Sequence, residues 1–298
     1  MPETSILQTV SMQRAMPFKF IHLTDTHLAN PGLMLYGLDP RARLDAAIAD
    51  INARQADAAF AVVTGDLTHW GEPESYANFA EAMAALKIPY IAMVGNHDKR
   101  VACLDGLKAA PRDANGFVQG TRTTEHGLFV FLDTLDETSH AGEMCAKRLG
   151  WLASTLAAAP ADMPFVVFMH HPPFPVGVRA MDEIALKQSA EFAEVIAPYR
   201  SRIRHLFFGH VHRPIFGSYG KIPLSTLKGT NHQVWFDLDP TAPHLASHEP
   251  PSYGVALIDD ESLIVHSHDF LDTSLRFPFE PPAGMDGRDY ALKFAAVR

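Results

Sequence analysis

AAFAVVTGDLTHW, residues 58–70, is the stretch whose reading decides the fold. Its unbroken apolar run shows no alternation and is too short for an ordinary helix, so a strand at 59–64, covered on both faces, is the expected element. Asp66 arrives at the end of that strand, and Gly65 lets the backbone turn sharply or approach a neighbour closely. A single carboxylate there starts a turn about as readily as it holds a ligand. Its meaning depends on what the other strands deliver.

Working outward, KFIHL at 19–23 is a second apolar strand, ending in TDTH. A loop, NPGLMLYGLDP, leads into RARLDAAIADINAR, where Leu44, Ile48 and Ile51 recur at helical spacing. Beyond residue 70, ESYANFAEAMAAL gives another helix and PYIAMV another strand, which ends in GNHD at 95–98. Strand, helix, strand with apolar strands throughout predicts parallel strands covered by helices. Further on, GFVQGTR and HGLFVFLDT read as strands joined by a turn, followed by a helix at 145–158. PFVVFM then ends in HHPPFPVG, a helix is expected at about 182–197, and RIRHLFF ends in GHVH. After residue 214 the pattern turns to short strands in KIPLSTL, HQVWFDL, YGVALID and LIVHSHDF, and ALKFAAV reads as an edge strand or a segment packed across the domain. The expected architecture is α/β, two sheets with mixed parallel and antiparallel strands flanked by helices. An N-terminal arm at 1–17 is expected to precede one domain at 18–298.

The 298 residues are 47% hydrophobic and suffice for a sizeable core. A formal charge of −9 supplies no footprint for a nucleic-acid backbone or an anionic membrane, so neither a nucleic acid polymer nor a membrane is the expected partner. Cys103 and Cys145 form no CxxC pair and no disulfide framework, and the chain shows no signal-type h-region or apolar run of spanning length. A cytoplasmic protein is expected.

Five strand ends carry polar clusters: Asp25 and His27, Asp66, Asn96 and His97, His170 and His171, and His210 and His212. Any one is weak evidence, since an Asp caps helices and a core histidine is common. Together they supply carboxylates, imidazoles and a carboxamide from rigid positions, a donor set that suits Mn, Fe, Co or Zn and lacks the thiolates of a structural zinc site. A bridging carboxylate between two cations is the arrangement that serves phosphoryl transfer. A dinucleotide-binding fold competes on the α/β pattern, but no strand end provides GxGxxG.

With DTH at 25–27, GDLTH at 65–69, GNHD at 95–98, HH at 170–171 and GHVH at 209–212 in that order, the chain resembles the calcineurin-like metallophosphoesterase superfamily. LYG at 35–37, HHPPFPVG at 170–177 and STLKGTNHQV at 225–234 make it similar to class III cyclic-nucleotide phosphodiesterases and bacterial glycerophosphodiesterases. The resemblance implies one metal on Asp25, His27, Asp66 and His212 and a second on Asp66, Asn96, His170 and His210, the pair being divalent or mixed-valence. It implies that His97 contacts the substrate phosphate and that His232 is a further active-site residue. His22, His69 and His171 are expected to support the ligands from outside the coordination sphere or to pack, and Asp98 to cap the next helix or orient His97.

The implied reaction is hydrolysis of a small phosphodiester, a cyclic nucleotide or a glycerophosphodiester, by a metal-bridging hydroxide. A broad phosphomonoesterase, a nuclease and a non-catalytic metal-stabilised binding protein are the alternatives. Homo-oligomerisation is expected from the same resemblance.

Overall fold

The computed structural model describes residues 17–295, so the arm expected at 1–17 lies, except for Pro17, outside the described residues. In chain order the first half runs β1 (Phe18–Leu23), α1 (Pro40–Arg54), β2 (Ala61–Val63), α2 (Pro73–Met83), β3 (Tyr90–Ala92), α3 (Arg100–Gly106), β4 (Gly120–Thr124), β5 (Gly127–Phe131) and α4 (Ala146–Ala158). Then follow β6 (Phe165–Phe168), α5 (Arg179–Asp182), α6 (Ser189–Ile196), β7 (Ile203–Phe207), β8 (Ile215–Tyr219), β9 (Ile222–Thr226), β10 (Gln233–Val234), β11 (Ala246–Ser247), β12 (Tyr253–Ile258), β13 (Leu263–His268) and α7 (Gly287–Ala295).

Two mixed sheets form. One has the order β13-β12-β1-β2-β3 and the other β4-β5-β6-β7-β9-β8. The apolar strands β1, β2 and β3 run parallel, as do β5, β6, β7 and β9, while β12, β13, β4 and β8 join antiparallel.

Strand parity builds four layers. Phe20, Phe60, Val62 and Met93 face the second sheet and meet Phe129, Phe131, Val166, Phe168 and Phe207. The rings interlock: Phe168 stacks on Phe207 at 4.9 Å, and Phe20 meets Phe168 edge-on at 5.7 Å. The alternate residues Ile21, Leu23, Ala61 and Val63 pack outward on Leu44, Ile48, Ile51, Tyr76 and Phe79 of α1 and α2. On the far side Val130, Val167 and Leu206 pack on Leu152, Leu156, Phe192 and Ile196. Each buried Val, Leu, Ile, Phe or Met among these contributes roughly 1.5–3 kcal/mol of burial free energy. Helix α1 starts where expected because Asp39 accepts from the Ala42 amide at 3.1 Å and Pro40 occupies the first turn.

Three expectations change. The helix expected at 182–197 is broken into α5 and α6, because the intervening chain turns aside to bond with the 142 segment: Gly142 donates to Ala185 O and Lys187 to Gly142 O. HQVWFDL forms a strand only at Gln233 and Val234, with one further bond from Trp235 N to Leu245 O at 2.7 Å, and the side chains of Trp235, Phe236 and Leu238 stand exposed. Up to residue 295 the tail is helical in α7, which removes the edge-strand branch of its reading. None of this disturbs the site, because β1, β2, β3, β6 and β7 all send their C-terminal ends to one rim of the sandwich.

Candidate metal centre and phosphate site

The rim is built from unusual backbone. Seven described non-glycine residues have positive φ, and five of them are Asp25, His27, Asp66, His210 and His212, at 54°, 47°, 49°, 71° and 47°. Such conformations are uncommon for L residues and cluster where surrounding structure enforces them for function. Here the enforcement is visible: beyond β1 and β2 the loops keep bonding, with Asp25 N to Gly65 O at 3.1 Å, His27 N to Asp66 O at 2.9 Å and Leu28 N to Leu67 O at 2.9 Å. Gly65 has φ 95°, and a Cβ there would stand 2.6 Å from His170 Nδ1 and 2.7 Å from Gly95 N. No other residue fits that position.

The side chains converge in two overlapping groups. Asp25, His27, Asp66 and His212 come together, with His27 Nε2 to His212 Nε2 and His212 Nε2 to Asp25 Oδ1 both 3.1 Å. Asn96 Oδ1 lies 3.2 Å from His170 Nε2 and 2.9 Å from His210 Nδ1. Asp66 Oδ2 sits between the groups, 3.6 Å from His27 Nε2 and 3.4 Å from His170 Nε2. Donors around one cation with bonds near 2.1 Å are separated by roughly 3.0–3.4 Å, so both groups have ligand spacing.

Other contacts orient these donors. His170 Nδ1 donates to Thr64 O at 2.7 Å and His212 Nδ1 to His232 O at 2.7 Å, which turns each Nε2 inward. His140 Nδ1 takes the Asn96 amide at 3.0 Å and leaves the carboxamide oxygen for the centre. His171 is close to His170 and His210, yet its nitrogens face Thr134 Oγ1 and His140 O, so it supports the site without pointing a free lone pair into it.

Electrostatics favour cations here. Asp25 and Asp66 are buried, with no lysine or arginine among their partners. Burial alone would raise them, but the charges of His212 on Asp25 and of His170 on Asp66 outweigh it and hold both carboxylates ionised below their usual range. Burial likewise opposes a proton on His170, and Asp66 overrides it, pushing that imidazole up to about 9. Asp25 Oδ1 is buried and receives no well-aligned hydrogen bond, its near neighbours being His212 Nε2 at 3.1 Å and His27 Nε2 at 3.9 Å. A buried carboxylate oxygen with only imidazole nitrogens around it, beside ionised Asp66, fits a divalent cation, and the donor chemistry fits two.

His97 stands at the mouth of the centre. Its amide donates to Asp66 Oδ1 at 2.8 Å, and its Nδ1 donates to His69 O at 2.9 Å, which leaves Nε2 as the free ring nitrogen. His232 is 4.7 Å, ring to ring, from His212, and burial and then His212 lower it to about 3. Asp98 neither caps α3, whose flanking residue Lys99 makes no side-chain cap, nor touches the His97 ring. It accepts from the amides of Leu67, Thr68 and Gly95 and from the Tyr76 hydroxyl, clamping the loops of Asp66 and Asn96 together. His22 lies beneath the rim, bonded to Thr64 Oγ1 at 2.9 Å. A cleft of about 180 Å³ opens over the centre, walled by Tyr36, His140, Met181, Ile184, Val234 and His244. Of these only Tyr36 and Val234 fall in the quoted sequence blocks, LYG and STLKGTNHQV; His140 comes from a loop with no strand-end pattern to mark it.

Comparison with known proteins agrees with this geometry. Residues 18–214 match the family model described as calcineurin-like phosphoesterase. A probable cyclic nucleotide phosphodiesterase of Rhodopseudomonas palustris is 46% identical over 255 residues, 85% of this chain and 93% of its own. A glycerophosphodiester phosphodiesterase of Enterobacter lignolyticus is 30% identical over 235 residues, 78% of this chain and 84% of its own. A purple acid phosphatase from yellow lupin shares the fold at TM-score 0.63 and 12% identity, over 88% of this chain and 53% of the phosphatase. With the matched span carrying all five polar strand ends, this chain belongs to the calcineurin-like phosphoesterase family.

Proposed function

We propose that this metal-dependent phosphodiesterase acts on cyclic nucleotides, with one cation on Asp25, His27, Asp66 and His212 and another on Asp66, Asn96, His170 and His210. The observation that carries the two-cation reading is Asp66 Oδ2, set between His27 Nε2 at 3.6 Å and His170 Nε2 at 3.4 Å. When bound, two such cations supply a hydroxide nucleophile at neutral pH and Lewis acidity for the phosphoryl oxygens; Mn, Fe, Co and Zn, in divalent or mixed-valence pairs, suit these donors.

The chain's own groups do the rest. Asp66 takes the shared position, while His140, Thr64 O and His232 O fix the direction of the donors. His97 Nε2 faces the substrate phosphate and, when protonated, can hand that proton to the departing alkoxide. His232 also lines the cleft and holds His212 through its carbonyl. For the organic part of the substrate, the cleft offers the Tyr36 ring and the side chains of Met181, Ile184 and Val234. An aromatic ring with apolar side chains beside it suits a nucleobase better than a glycerol, and the relative of Rhodopseudomonas palustris bears a cyclic-nucleotide name. Glycerophosphodiesters are the second reading, supported by the name of the Enterobacter relative.

Hydrolysis by protein reconstituted with each metal, compared as kcat/KM across cyclic nucleotides, glycerophosphodiesters, phosphomonoesters and single-stranded DNA, tests this. The proposal expects cyclic nucleotides to lead; leadership by another class overturns the substrate, and no turnover of any overturns the catalytic reading. The free Cys103 and Cys145 fit a reducing cytoplasm. The exposed Trp235, Phe236, Leu238 and Leu245 are the candidate surface for homo-oligomerisation, which sizing at several concentrations tests.

A further inference from the structure

His69 ends the GDLTH block and is not one of the proposed ligands, yet it touches both halves of the proposed machinery. Its Nδ1 lies 3.1 Å from His27 Nδ1, and its ring stacks on His97 at 4.6 Å and 18°. It is 8% exposed and boxed by rings, with Trp70 edge-on at 4.6 Å and Tyr36 edge-on at 5.8 Å.

The proton bookkeeping follows from His27. Its Nε2 faces Asp66 and His212, so a His27 that ligates through Nε2 keeps its proton on Nδ1 and must find an acceptor for it. Such partners are ordinarily a carboxylate, a carbonyl or water. Here the acceptor within reach is the Nδ1 lone pair of His69. The same ring is the flat surface against His97, while the His69 carbonyl takes the His97 Nδ1 proton at 2.9 Å. We infer that His69 is a double positioning residue: its imidazole replaces a carboxylate as the acceptor behind the metal ligand His27, and its ring face sets the plane in which His97 presents Nε2 to the phosphate. This rests on the proposed roles of His27 and His97.

Two substitutions separate the functions. His69→Phe keeps a flat ring against His97 and removes the acceptor; His69→Asp restores an acceptor for His27 and removes the stack. For each, manganese affinity is measured by chelator competition, thermal melts of the metal-free proteins report folding, and kcat and KM are measured at saturating manganese. A cyclic nucleotide, with a poor alkoxide leaving group, is compared with bis(p-nitrophenyl) phosphate, whose leaving group needs little protonation.

The expected pattern is crossed. His69→Phe loses about 10–100-fold in manganese affinity and keeps kcat within a few-fold of the parent once loaded. His69→Asp keeps the affinity and loses about tenfold or more in kcat on the cyclic nucleotide, with a much smaller loss on the nitrophenyl ester. Unchanged affinity in His69→Phe overturns the acceptor role, and equal losses on both esters in His69→Asp overturn the positioning of His97. If the parent hydrolyses neither ester, the proposed function fails, while the affinity measurement still decides the bond to His27.

Discussion

The inner floor of the cleft and its outer wall are made by different means. On the floor, five ligand candidates sit in left-handed backbone and their side chains are buried; ladder bonds between adjacent loops hold Asp25, His27 and Asp66, and the His210 amide donates to Asp25 Oδ2 at 3.1 Å. The wall comes from short or irregular elements: Met181 from the four-residue α5, Val234 from the two-residue β10, and Tyr36 from a turn closed by Leu35 and Leu38. The difference separates chemistry from selection. Rigid strand ends fix the donors, and a wall with few anchoring bonds is free to differ in what it admits.

That contrast can be broken, and the largest effect comes from removing metal. Prolonged chelation is expected to abolish hydrolysis of every ester alike, with recovery on adding back manganese; residual turnover of metal-free protein would detach the floor from the chemistry. Next, His97→Ala is expected to lower kcat by about 100-fold or more while manganese binding stays. An equal loss of metal would place His97 among the structural supports.

A stability test separates the interior from the rim. Burial holds His205, bonded to Ser225 Oγ at 2.8 Å, near pKa 3 against its ordinary 6.5. The imidazole is therefore neutral in the fold and takes a proton more easily when unfolded. Its contribution is complete above pH 6.5 and is lost as pH falls from there toward 3, at roughly 1.4 kcal/mol per pH unit. His205→Gln, which can keep a bond to Ser225, is expected to flatten that acid limb in denaturant melts and leave kcat unchanged. An unaltered slope would contradict the burial argument.

The smallest effect belongs to the wall. Tyr36→Ala is expected to raise KM for a cyclic nucleotide by about 3–10-fold, as the loss of one aromatic contact predicts, and to leave kcat and the kinetics on a glycerophosphodiester nearly unchanged. A parallel loss on both substrates would move Tyr36 from the selecting wall to the floor.

The same contrast explains what the sequence could reveal. Strands such as AAFAVV and PFVVFM announce themselves because both faces are buried, and each polar block stands out against the apolar run before it. The two-sheet α/β layout followed from that order. The broken helix at 182–197 did not, because its cause is a backbone bridge to Gly142, more than forty residues earlier in the chain. β8 was hidden because IFGSY, with an interior glycine and exposed Phe216, lacks the apolar density of a central strand and pairs only at an edge. His140 was invisible for the complementary reason: its role depends on reaching Asn96 across forty-four residues. Asp98 was misread because its partners lie on the preceding loop rather than on the helix that follows.

The central claim is that Asp66 is shared between two cations, and spin coupling tests it most directly. Protein loaded with manganese is expected to bind two ions per chain and to give the multiline electron paramagnetic resonance signal of an exchange-coupled pair, which Asp66→Asn should abolish or reduce to isolated ions. One manganese per chain, or a coupled pair that survives Asp66→Asn unchanged, would contradict it.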